Sequence, residues 1–85
     1  MNRKLTAEQN QNNNLALVFR NRMFLDGESE ARCTYEAQML CATSAARRRH
    51  IEWTDIDELI EDLALEVKPR ACLIIEMAKK GGADV

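Results

Sequence analysis

Glycine, proline and aromatic residues are scarce in this chain, with three Gly, one Pro and 5% aromatics in 85 residues. An all-β sandwich or barrel needs turn residues at its hairpins and strand formers between them, so that class is disfavoured. Long apolar runs are missing too. The longest near the N-terminus covers residues 15–19, far short of the roughly 20 residues of a membrane span. Arg3 and Lys4 are not followed by the apolar stretch of a secretory signal. The three Cys are an odd count without the tight spacing of a disulfide framework. The expectation is a cytoplasmic protein with reduced thiols and no membrane association.

Motifs that carry chemistry are equally thin. One His and the scattered Cys33, Cys41 and Cys72 do not make the paired four-ligand spacing of a zinc site. Cys41 and His50 lie on one expected helix, about 13 Å apart by the helical rise, too far for a nucleophile and its base. There is no P-loop, GxSxG or GxGxxG segment. The acidic residues lack the glycine-centred rhythm of an EF-hand loop. The expectation is therefore a non-enzymatic protein without metal or cofactor.

What is present is an ordinary apolar fraction, 46%, beside a high charged fraction, 31%. That composition and length fit one small domain over 1–85 rather than a disordered chain. Net charge is only −2, but it is unevenly spread. Residues 1–50 hold eight bases and five acids, whereas residues 51–85 hold four bases and nine acids. Such asymmetry points to two electrostatically distinct faces.

The periodicity predicts an all-α bundle of three to four helices, at about 15–25, 29–50, 54–67 and 69–80, with dimerisation as one way to complete the core. Residues 1–14 read as a polar, Asn-rich arm and 81–85 as a frayed tail. Two starts for the first helix are open: a capping box at Thr6 and Gln9, or a cap within 12–14. Leu15, Phe19 and Met23, with Ala16 and Val18, form its apolar stripe, and Asp26-Gly27 ends it. The second helix has Ser29 as N-cap and Arg47, Arg48, Arg49 and His50 at its C-terminus. It carries two apolar stripes, one through Tyr35, Met39, Ala42 and Ala46, the other through Ala37, Leu40, Cys41 and Ser44. A helix with two such stripes is expected to be central. Thr54 is the expected cap of the third helix, whose stripe is Ile56, Leu59, Ile60, Leu63 and Val67. Lys68-Pro69 is expected to end it and to open a fourth helix.

Three surface features could serve recognition. Residues 51–66 hold seven acids and no base; Asp55, Glu58, Glu61, Asp62 and Glu66 are the candidates for a charged contact with another protein. Phe19, Met23 and Phe24 are the candidates for an apolar contact. Arg47, Arg48, Arg49 and Trp53, supported by Lys68 and Arg70, are an alternative set for gripping nucleic-acid phosphates and stacking on a base. A helix-turn-helix resemblance over 56–78 is weak, because its first helix is strongly acidic and its joint lacks glycine. The leading expectation is a non-catalytic, self-associating interaction module (an inhibitor, adaptor or accessory regulator) of the short form that phages and mobile elements often encode. Nucleic-acid binding is the second.

Overall fold

The computed structural model describes residues 6–81, and these form four helices with no strand. They are α1 (Ala7–Phe24), α2 (Glu30–Arg49), α3 (Ile56–Asp62) and α4 (Ala64–Lys79). The all-α bundle is as the periodicity predicts. Residues 1–5 and 82–85, parts of the expected arm and tail, lie outside the described residues.

α1 starts eight residues before the expected 15. Thr6 takes the amide of Gln9 while Gln9 returns its side chain to the Thr6 amide, at 3.0 and 2.8 Å. This capping box satisfies donors at the helix start. The Asn-rich stretch from Ala7 onward is therefore helical rather than a free arm. Its weak propensity is offset by tertiary contacts: Asn12 is buried and accepts from Arg70 Nε at 2.9 Å, while Gln11 accepts from Arg70 Nη2 at 2.9 Å. One guanidinium thus ties the first turns of α1 to α4.

A second tie, Arg20 to the carbonyl of Ala78 at 3.2 Å, has the same sequence offset of 58. Two ties at one offset make α1 and α4 parallel neighbours. α2 runs antiparallel to α4, since Lys79 meets Glu30 at one end and Glu66 meets Arg48 at the other. α2 packs against all three other helices, as its two stripes predict. The core between them is rich in small side chains: Ala16, Ala37, Ala42, Ala46, Ala71 and Ala78, with Cys33 and Cys41, surround Phe19, Leu59, Ile60, Val67, Ile74 and Ile75. Small side chains let helix axes approach closely, consistent with a body measuring 38 × 36 × 17 Å.

α2 keeps its expected bounds. Ser29 accepts from the amide of Arg32 at 3.1 Å. His50 ends the helix in the left-handed region, φ 56°. There the Ile51 amide reaches Ala46 at 2.9 Å and the His50 amide reaches Arg47 at 3.4 Å, a Schellman arrangement. That turn directs residues 51–55 away from the helix axis.

The joint between α3 and α4 differs from the expectation. α3 is capped by Asp55, not Thr54, with Asp55 Oδ1 accepting from the amides of Asp57 and Glu58 at 2.9 and 3.3 Å. Helical geometry breaks at Leu63 (φ −108°, ψ 21°), and α4 runs straight through Pro69. Pro69 has no N–H to give the carbonyl of Leu65, four residues earlier. Leu65 is 96% exposed, on the solvent side of α4. The stripe from Ile56 to Val67 survives the break, with Leu59, Ile60 and Val67 buried and Ile56 and Leu63 packed against them. Packing decides the boundary and local propensity does not. Restoring the donor with Pro69→Ala should raise stability by about 1–2 kcal/mol, since Pro is about 3 kcal/mol worse than Ala inside a helix and the freer unfolded chain takes back part. A rise in urea midpoint checks this; a fall would contradict it.

Candidate functional site

The Schellman turn at His50 and the Asp55 cap of α3 bracket a short segment that lies open on the surface. Ile51 and Trp53 in this segment are 38% and 44% exposed, a large apolar area for so few residues. Together with Leu59 and Leu63 they form the apolar part of a shallow depression of about 730 Å³, completed by Thr54 and the carboxylates of Glu52, Asp55, Glu58 and Asp62. No cation among the described residues pairs with any of these four acids. Asp55 is engaged only by the backbone amides it caps. An apolar floor with an unneutralised acidic rim suits a ligand that is both apolar and cationic.

The remaining acids of the region are already satisfied. Glu61 takes Lys68 at 3.0 Å. Glu66 takes Arg48 at 2.8 Å through Oε2 and Arg49 through Oε1. Glu66 Oε1 is buried and held by charge rather than by an aligned hydrogen bond. Thus Asp55, Glu58 and Asp62 come together at the depression, whereas Glu61 and Glu66 serve internal pairs. Glu52 and Ile51 were missing from the sequence-based set. Their signal was adjacency to Trp53, on the short span between the end of α2 and the cap of α3.

The apolar set is split by the fold. Phe19 is fully buried in the core and offers nothing to a partner. Its place on the first-helix stripe is what puts it there. Met23 packs on the core from its edge. Phe24 is 61% exposed, its ring covered by the Arg20 guanidinium at 4.8 Å. Val18 and Leu40, expected in stripes, are exposed beyond the core's edge, as is Tyr35.

The basic set is dispersed. Arg48 and Arg49 are neutralised by Glu66, and Arg48 also donates to Ser44 at 3.2 Å. Arg70 is held by Asn12 and Gln11, and Lys68 by Glu61. Arg48 and Arg70 do share a small hollow, but it is also lined by Glu8 and Gln11. Trp53 sits with the acids instead. α3 and α4 are separated by Leu63 alone, not by the three- or four-residue turn of a helix-turn-helix.

Tyr35 ties this surface to α2. Its hydroxyl donates to Asp57 Oδ1, on the first turn of α3. The hydrogen bond to Asp57, followed by burial and the charges of Asp57 and Asp55, raises the Tyr35 phenol above its usual 10. The folded state favours the neutral phenol, so this contribution is complete below pH 10 and fades as pH rises through the raised value. Tyr35 is the only tyrosine, so absorbance at 295 nm reports it alone. Its titration should lie above 10 in the wild type and return towards 10 in Asp57→Ala; coincident curves would contradict the tie.

For the two buried thiols, burial outweighs the nearby Arg charges that would favour the thiolate. Burial first, and the Glu28 carboxylate second, push Cys33 up to about 11. Burial likewise raises Cys41. Among the described residues no three His, Cys, Asp or Glu side chains converge as a metal site, and no helix is long and apolar enough to cross a membrane. Compared with known protein families, curated proteins and solved structures, the chain matches none.

Proposed function

We propose that this protein is a non-catalytic interaction module that captures a basic, amphipathic segment of another protein in the Trp53 depression. The observation that carries this reading is the four unpaired carboxylates of Glu52, Asp55, Glu58 and Asp62 around the exposed Ile51 and Trp53. A charged group left without a partner in a chain that pairs most of its other acids is free to meet an outside charge. A Lys or Arg of the partner would lie over the Trp53 ring with its charge among the carboxylates, and its aliphatic neighbours on Leu59 and Leu63. The role that fits is that of an inhibitor, adaptor or accessory regulator acting by occupying a basic surface.

Nucleic-acid binding finds less support, because the Arg48 and Arg49 charges are taken up by Glu66. Trp53 is the only tryptophan and so reports directly on the site. The test is its fluorescence during titration with a helical peptide of alternating Leu and Lys faces, beside the same peptide with Glu for Lys. Saturable change with the Lys peptide alone, weakening with salt, is expected. No change, or equal change with both peptides, would remove the reading.

A further inference from the structure

A different surface bears on self-association. α4 buries Val67, Ala71, Ile74, Ile75 and Ala78. On its opposite side lie Leu65, Pro69, Cys72 and Leu73, all exposed, with Leu65 at 96% and Leu73 at 51%. Their spacing, at offsets 0, 4, 7 and 8, is that of one continuous helical stripe. An apolar stripe of this kind is how one helix docks along another. Beside Leu65 there is also a hollow of about 430 Å³, lined by Leu63, Ala64 and Leu65 and rimmed by Glu61, Asp62, Glu66 and Arg49.

We infer that the occupant of this stripe is a second copy of the chain, paired antiparallel about a two-fold axis near Pro69. The stripe is self-complementary in that register. Leu65 and Leu73 each stand four residues from Pro69, so the Leu65 of each copy comes level with the other copy's Leu73, as a two-fold interface requires. The charges agree. Asp62 precedes α4 and Lys80 follows it, and neither has an ion-pair partner among the described residues. In this register the opposite Glu76, itself paired with Lys79, stands level with Asp62, and Lys80 lies about one helical turn beyond, so the end that carries Lys79 and Lys80 meets the acidic rim of the hollow. Parallel pairing would set acid on acid and base on base. Asp62 is shared with the Trp53 depression, but Leu65 and Leu73 lie outside it, so substitutions at the two Leu test the dimer without touching that site.

Cys72 supplies the readout, since Cys33 and Cys41 are buried and Cys72 is exposed. In this register the two Cys72 residues lie about 9 Å apart along the axis. The full-length protein should sediment as a dimer at tens of micromolar and cross-link at Cys72 with a short bismaleimide. Leu65→Glu with Leu73→Glu should weaken dimerisation at least tenfold and abolish the cross-link while circular dichroism stays helical. Asp62→Lys and Lys80→Asp should each weaken it, and the two together should restore it. A monomer at millimolar concentration would overturn the inference. So would a dimer that ignores the Leu substitutions, fails to cross-link, or is not restored by the charge swap.

Discussion

Phe19→Ala should lower the free energy of unfolding by about 3–5 kcal/mol, the usual cost of emptying a buried aromatic site. Phe19 is fully buried and is the largest such side chain in the core. It belongs to a core cluster rich in Ala and Cys, whose short side chains cannot reach into a vacated site. The helices can collapse only by moving as rigid bodies, and Arg70 and Arg20 pin α1 to α4 at both ends. A domain of this size holds about 4–13 kcal/mol in total, so the variant loses about a quarter or more of it. Phe24→Ala is the control. Its ring is mostly exposed and meets Arg20, so its removal should cost under about 1 kcal/mol. Urea denaturation followed at 222 nm separates the two. Equal effects would mean that Phe19 is not the centre of the core.

The second large effect concerns binding. Glu52→Lys with Glu58→Lys should weaken capture of a Leu/Lys peptide about a hundredfold at low salt. Each reversal replaces an attraction by a repulsion worth about 1.4 kcal/mol or more where the rim is partly shielded from water. Neither carboxylate has an ion-pair partner among the described residues, so no internal pair is lost, and Lys at position 58, in the first turn of α3, should cost no more than about 1 kcal/mol against the helix dipole. The difference between wild type and variant should shrink above about 0.5 M salt, where screening shortens to a few ångströms. Arg48→Gln with Arg49→Gln should leave peptide affinity within about threefold, because those groups face Glu66 rather than the depression. A reversal that leaves affinity unchanged would move the site elsewhere.

Much of this fold is legible in the residues because its signals agree with one another. Ser29, the Arg run and the small-residue stripes of α2 all point to the same helix. Thr6 and Gln9 form a real capping box, but the Asn residues that follow argue locally against helix. What resolves the conflict is Arg70, 58 residues away from Asn12, and no local pattern contains that contact. Pro69 misleads in the opposite sense. It is a strong local stop, yet the buried run from Val67 to Ala78 is worth more than one missing backbone bond.

The site was legible only in its ingredients. The excess of acids over 51–66 is plain in the sequence, but which acids remain free depends on where Lys68, Arg48 and Arg49 reach. The exposed apolar residues were assigned to α1 because their density is highest there. The stripe that makes them conspicuous is the one the core consumes, and Trp53, set apart by the turn at His50, stays outside.

The central claim is that the depression between His50 and Leu63 receives a basic amphipathic segment. It is tested most directly by recording amide ¹H–¹⁵N spectra while adding the Leu/Lys peptide. The account predicts shifts concentrated at residues 51–63 and at the Trp53 indole, with α1 and the Arg47–Arg49 end of α2 little changed. Shifts centred on Arg47, or spread evenly over the surface, would contradict it.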